Sequence, residues 1–335
     1  MLHVVKIGRS TVDDASAPPG HYVQLPGRGR TFYCERPGPE RPRPERPGQE
    51  PSGGRGGDAP AVFLFHGLVV NGYLHYFPLF TPMGERYRIV CQDMRGHGRG
   101  IPLQTRFRLA DCADDAVALA DHLGIERFIA VGYSLGGPVA QLAWKRHPDR
   151  VAGLVLAATS RNFGGTAPER AFYSTLLAAD VGIRLARRIP GLGYPIDPVE
   201  PTAPSVPPGT KMGRWALGEL GLVSPHAGIQ AMNAMGRFSS HEWIHEIDVP
   251  TAVVVTTQDR MIAADRQLRL VSAIPGATVH TAHAGHIAGV LGGGGFIDAM
   301  LDATASVAGR IAERDASAAR PAHPIELEGA SAWNA

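Results

Sequence analysis

Val131-Gly132-Tyr133-Ser134-Leu135-Gly136-Gly137 is the stretch on which the reading of this chain turns. An apolar run, 127–131, leads into it, and a helix-like run, 135–147, leaves it. A Gly-x-Ser-x-Gly pattern between a strand and a helix marks a sharp turn that lifts one hydroxyl to the end of the strand. Ser134 would stand there in front of a helix N-terminus, whose N–H groups point at any negative charge developing beside it. Gly132 and Gly136 flank a turn so tight that a Cβ at either place would meet backbone, a clash only glycine escapes. The plain alternative is a Gly-rich turn that happens to hold a serine. The flanking strand and helix, and the partners found further on, argue against it.

Outward from that stretch the chain alternates. Before it, 22–25 and 30–34 read as a hairpin-like pair of short strands, and 61–65 and 88–91 as buried strands. The first of these buried strands ends in His66-Gly67-Leu68, the second in Asp93-Met94-Arg95-Gly96-His97-Gly98. Leu109, Ala113, Ala116, Val117, Ala120 and Leu123 fall at helical spacing, with Asp111, Asp114 and Asp115 near the start and Gly124 just past the end. After the Ser134 turn come strand 151–156 and, later, strand 251–256, helix 263–274, strand 277–280 and a last helix with Phe296, Met300, Ala303, Val307 and Ile311 along one face. Strands alternating with helices in this way predict an α/β protein: a mostly parallel central sheet with helices on both faces.

Two stretches break the alternation. Segment 36–60 is rich in Pro, Arg, Glu and Gly and is too polar to fold by itself, so it reads as a disordered loop. Segment 160–248 has helix-like stretches, 172–189 and 213–222, between Pro-rich turns and no buried strand; it reads as a helical lid inserted over the Ser134 end of the sheet. The expected organisation is a core of 1–159 and 249–314, the lid at 160–248, and a disordered tail at 315–335.

Composition narrows the partners. The chain has 335 residues, with 33 basic and 31 acidic side chains and a formal net charge of +2, so no field suggests nucleic acid. A small molecule is the expected partner. The three cysteines, Cys34, Cys91 and Cys112, lack motif spacing and read as core residues in a reducing compartment. No run reaches the length of a membrane span and the start lacks a signal-peptide core, which points to the cytoplasm.

A serine hydroxyl is a weak nucleophile, so Ser134 needs a general base, and the base needs a group that fixes its tautomer. Asp259 follows the 251–256 strand and His286 follows the last one, giving the order Ser, Asp, His. On His66-Gly67, Asp93-x-Arg95-Gly96-His97-Gly98, Gly132-x-Ser134-x-Gly136, Asp259 and Gly285-His286, the chain resembles the α/β-hydrolase-fold enzymes over roughly 22–310. The resemblance implies Ser134 as nucleophile, Asp259 as orienting acid and His286 as base. It also implies an oxyanion hole built from the backbone N–H groups of Leu68 and Leu135, with no cofactor and no metal.

Rivals exist for each partner. Asp265 competes with Asp259 but lies inside the following helix. His280 and His283 compete with His286, and the even spacing of the three could suggest a metal cluster, were the stretch a continuous helix. His66 and the 93–98 block read as loop-shaping, and Trp215, Trp243, His241 and His245 as packing residues. Leu176, Leu177, Ile183, Leu185, Ile189 and Leu192 are candidate walls for an apolar group. The expected activity is serine hydrolysis of a carboxylic ester of small or medium apolar character through an acyl-enzyme. Carbon–carbon hydrolysis or perhydrolysis would use the same triad; for the former, one of Arg184, Arg187, Arg188, Lys211 and Arg214 could grip a carboxylate. A non-catalytic ligand-binding protein of the same fold is the reading from another class.

Overall fold

The structure, a computed structural model, describes residues 18–39, 60–186 and 212–318. Its strands are β1 (Gly20–Leu25), β2 (Gly29–Arg36), β3 (Ala61–Phe65), β4 (Arg88–Gln92), β5 (Phe128–Tyr133), β6 (Val151–Ala157), β7 (Thr251–Thr256) and β8 (Thr278–Ala282). They form one sheet in the order β1-β2-β4-β3-β5-β6-β7-β8. β2 is antiparallel to both neighbours, and every other pairing is parallel.

The helices are α1 (Gly72–Gly84), α2 (Leu109–His122), α3 (Gly136–Arg146), α4 (Ala167–Ala186), α5 (Met212–Leu220), α6 (Pro225–Arg237), α7 (Ala264–Ala273), α8 (Ala288–Leu291) and α9 (Phe296–Ala318). β3, β5, β6 and β7 are buried along their whole length, which is why they read as unbroken apolar runs. Successive strand residues feed opposite cores. Phe63, Phe65, Phe128 and Ala130 pack with α2, α3 and α7, while Val62, Leu64, Ile129 and Val131 pack with α1 and α9. Between β6 and β7 the chain leaves the sheet to form α4, α5 and α6, and an isolated bridge between Asn162 and Ser239 joins its outgoing and returning ends. No further sheet strand occurs among the described residues of this insertion, as its sequence predicts.

α1 leaves no helical signature in the sequence. Pro78 and Pro82 lie inside it and read as breakers, and its residues are buried around most of the cylinder, so no amphipathic stripe shows. Asn71 starts it, its side chain accepting the Leu74 N–H at 2.8 Å. The short α8 and the insertion helix α6 are likewise additions to the expected elements. At the C-terminus a correction is needed: α9 runs to Ala318, so the tail does not begin at 315. The α9 stripe continues in helix-forming Ala, Glu and Arg, and no breaker stops it there. The polar loop expected at 36–60 falls mostly on 40–59, outside the described residues. Cys34 and Cys91 are register partners across β2 and β4, yet all three thiols are free and buried.

The 93–98 block has the structural role its sequence suggests. Asp93 accepts the Gly72 N–H at 2.8 Å and the Arg99 N–H at 2.9 Å, tying the end of β4 to the start of α1. His66 Nε2 accepts the Met94 N–H at 2.9 Å. Gly98 has φ +52°, and a Cβ there would lie 2.3 Å from the Asp93 carboxylate. Burial pushes the Asp93 carboxyl up to about 6, only partly offset by the two N–H donors and the Arg99 charge. The folded chain therefore holds this proton more tightly than the unfolded chain. Its contribution to stability is full below the ordinary carboxylate range and is lost as the pH rises through about 6. Urea unfolding from pH 4 to 7 should show Asp93→Asn gaining on the wild type by on the order of 2–3 kcal/mol. A pH-independent difference would contradict the shift.

Candidate active site

After β3 the chain turns to one side to make β4, then crosses back to the other side of β3 to make β5. The carboxyl ends of β3 and β5 thus meet where the strand order reverses, the place at which open α/β sheets form a crevice. Phe65 and Gly132 are register partners there. The loop 66–71 leaves one strand and Ser134 follows the other.

Ser134 has φ +51°, the strained left-handed turn its motif predicts. The glycines explain how the turn closes. A Cβ on Gly132 would lie 2.3 Å from the Gly136 carbonyl oxygen, and one on Gly136 would lie 2.0 Å from that of Phe65. A Cβ on Gly137 would strike the Thr159 hydroxyl at 2.2 Å, a third constraint that the motif alone does not reveal. The turn is fixed further by the Ser134 N–H donating to Ala157 O at 3.0 Å and by the Thr159 hydroxyl donating to Ser134 O at 2.9 Å.

His286 and Asp259 reach Ser134 from the ends of β8 and β7. The pairing of those strands continues past their ends, where the N–H groups of Thr257 and Gln258 donate to Ala282 O and Ala284 O at 2.9 and 3.0 Å. This holds the two loops side by side. His286 Nδ1 lies 2.7 Å from Asp259 Oδ2, and His286 Nε2 lies 2.9 Å from Ser134 Oγ. An ionised carboxylate can only accept, so the proton sits on Nδ1, and Nε2 is left to accept from the Ser134 hydroxyl.

Asp259 Oδ1 accepts the N–H groups of Met261 and Ile262 at 2.8 and 2.9 Å, while Oδ2 accepts the Thr256 hydroxyl at 2.9 Å. Burial would raise this carboxyl, but the His286 hydrogen bond, the backbone donors and the His286 charge outweigh it and hold it below the usual range. Gln267, fully buried on α7, donates to the Thr256 hydroxyl at 3.0 Å and to Ile262 O at 2.6 Å, bracing the same turn. Thr256 and Gln267 escaped the sequence reading; a glutamine on the apolar face of α7 was the signal available.

Leu68 follows β3 and Leu135 follows β5, neighbouring parallel strands of the sheet. Neither backbone N–H finds an acceptor among the described residues. Leu135 is the N-cap residue of α3, and Leu68 precedes Val69, whose φ is +61°. The rival residues lie elsewhere. Asp265 is exposed on α7 and pairs with Arg269 at 2.8 Å, and His283 is exposed and meets Gln258 at 2.7 Å. His280 stands within β8, beside Thr278. No group of three metal-ligating side chains occurs among the described residues.

His75, on α1, is a further residue the sequence did not single out. It is buried against Tyr133, with ring centroids 4.5 Å apart, and neither ring nitrogen has a partner among the described residues. Burial, and then the His286 charge, push it down to about 3, so it stays neutral. Tyr133 donates its hydroxyl to His286 O, fixing the histidine loop from below. Trp215 packs on Tyr73 and Phe77, and Trp243 stacks on Trp144, as expected of packing residues. Arg184 is engaged by Asp180 at 3.0 Å and Arg214 is exposed; Arg187, Arg188 and Lys211 lie outside the described residues. Of the candidate apolar walls, Leu177 and Leu185 are exposed, and Ile189 and Leu192 lie outside the described residues.

The family model described as alpha/beta hydrolase fold matches residues 60–292. The chain belongs to this family. As an α/β hydrolase it is 29% identical over 244 residues to a protein of Caulobacter sp. (strain K31) provisionally named carbamate hydrolase RutD, covering 70% of this chain and 85% of that one. It is 37% identical over 99 residues to epoxide hydrolase B of Mycobacterium tuberculosis (strain ATCC 25618 / H37Rv). That match spans 29% of this α/β hydrolase and only 28% of the relative's length. Among solved structures, a hydrolase from Pseudomonas aeruginosa PA01 superposes with a TM-score of 0.61 at 21% identity, over 84% of this chain and 97% of that one. At that identity the likeness speaks for the fold. No helix among the described residues is long and apolar enough to cross a membrane.

Proposed function

We propose that this α/β hydrolase is a serine hydrolase that cleaves a carboxylic ester of small or medium apolar character through an acyl-enzyme. The observation that carries the reading is the line from Ser134 Oγ through His286 to Asp259, with spacings of 2.9 and 2.7 Å. Ser134 attacks the ester carbonyl as His286 takes its proton. The N–H groups of Leu68 and Leu135 stabilise the oxyanion of the tetrahedral intermediate. His286 passes the proton to the leaving alcohol, and water then repeats the sequence to free the acid.

A hydroxyl at residue 134 speaks against epoxide opening or dehalogenation, which rely on a carboxylate nucleophile. The apolar preference is supported by exposed apolar side chains on the loops that carry Asp259 and His286: Met261 at 72% and Ile287 at 65% exposure. In this reading the insertion 160–248 is a lid over the crevice. The enzyme works in the cytoplasm, in keeping with three unpaired buried thiols.

A panel of p-nitrophenyl esters from acetate to octanoate, with a carbamate, an epoxide and a haloacid beside them, tests the proposal. Ester turnover well above the Ser134→Ala background is expected. Turnover of the epoxide or haloacid alone, or of nothing, would contradict it.

A further inference from the structure

Glu219 lies on α5, within the insertion, yet its side chain is only 6% exposed. Arg99 donates to it with both terminal nitrogens, at 2.7 and 2.9 Å, and Asn71 Nδ2 donates to it at 2.5 Å. Asn71 in turn caps α1, and Asp93 holds the backbone N–H groups of Gly72 and Arg99. These four side chains are all buried. Together they clamp the downstream end of the 66–71 loop to α5.

The upstream end of the loop is held independently, by the Met94 N–H donating to His66. Between the two anchors sit Leu68 and Val69. A β-branched residue at φ +61° is strained, and such a conformation persists only where the surroundings enforce it. Part of that enforcement comes from the insertion. Trp215, one turn before Glu219 on the same face of α5, packs on Tyr73 and Phe77 of α1, while Leu217 on the other side is 72% exposed. A buried ion pair is a poor device for attachment alone, since apolar residues would serve as well at lower desolvation cost. Here the carboxylate also supplies the fixed acceptor that Asn71 needs.

We infer that Glu219 is a positioning residue for the proposed ester cleavage: clamped by Arg99 and Asn71, it holds the 66–71 loop in the strained form that presents the Leu68 N–H. Seating α5 and completing the oxyanion hole are then one event. This rests on the hydrolase reading given above. Activity therefore depends on a side chain that touches neither substrate nor triad.

The test compares Glu219→Gln, Glu219→Ala, Val69→Gly and the double variant Glu219→Ala/Val69→Gly. Both Glu219 variants should lose kcat by on the order of 10- to 100-fold with little change in KM, the penalty expected of a misplaced donor. Adding Val69→Gly should restore most of the kcat lost in Glu219→Ala, because glycine adopts positive φ without steric cost, while the melting temperature stays low. Amide hydrogen exchange over residues 68–74 should be faster in Glu219→Gln than in the wild type. Unchanged kcat in both Glu219 variants, or a loss that Val69→Gly does not rescue, would overturn the inference. If the wild type itself turns over no ester, the hydrolase reading fails, and exchange alone decides whether α5 controls the loop: no change in exchange then overturns it.

Discussion

Ser134→Ala should lower ester turnover by on the order of 10⁴- to 10⁶-fold while the chain melts within a few degrees of the wild type. The large effect follows from what the hydroxyl does in the proposed mechanism. Without Oγ there is no acyl-enzyme, and His286 has no proton to take. What survives is binding beside the N–H groups of Leu68 and Leu135, which still polarise a carbonyl toward attack by water. The small effect on folding follows from what holds the turn. The contacts made by Ser134 to Ala157, Gly137 and Thr159 all use its backbone, so they remain when the side chain is cut to a methyl. Steady-state kinetics on a p-nitrophenyl ester and a thermal melt check both halves. A variant retaining more than a few per cent of wild-type turnover would show that the nucleophile is elsewhere.

Asp259→Asn should cost roughly 10⁴-fold in kcat, through the tautomer of His286. One carboxylate oxygen is pinned by the N–H groups of Met261 and Ile262. In the asparagine variant the carbonyl oxygen must take that place, because an amide nitrogen cannot accept. The NH₂ group is then forced toward His286 Nδ1, 2.7 Å from the second oxygen in the wild type. Nδ1 becomes the acceptor, the proton moves to Nε2, and the nitrogen facing Ser134 can no longer accept one. The Thr256 hydroxyl can turn from this group toward Gln267 Oε1, 3.4 Å away, so the turn itself survives. The loss should therefore appear in kcat with the melting temperature little changed, and activity should recover partly at high pH, where hydroxide can replace the missing base. A variant that keeps most of its kcat would mean that Asp259 is only a turn residue.

The sheet was legible because a strand buried on both faces leaves an unbroken apolar run, and β3, β5, β6 and β7 all do. The candidate triad was legible because each member follows a strand at the same end of the sheet, so alternation alone brings Ser134, Asp259 and His286 to one edge. α1 was hidden by Pro78 and Pro82, whose missing N–H groups read as breaks although the helix is kept by burial rather than propensity. The supports of the site were hidden for a different reason. Gln267 reaches Asp259 from another element, and Glu219 reaches Asn71 across 148 positions of sequence. Partnerships that exist only after folding leave no spacing to read. The same holds for the strain at Val69, since nothing in an ordinary valine announces a positive φ.

The central claim is that Ser134 is an activated nucleophile. A fluorophosphonate probe followed by peptide mass spectrometry tests it most directly, because the reagent forms a stable adduct with a serine whose proton a neighbouring base takes as the oxygen attacks. The account predicts one adduct per chain on the peptide carrying Gly132-Tyr133-Ser134-Leu135-Gly136, and loss of labelling in His286→Ala. An unlabelled chain, or an adduct on another residue, would contradict it.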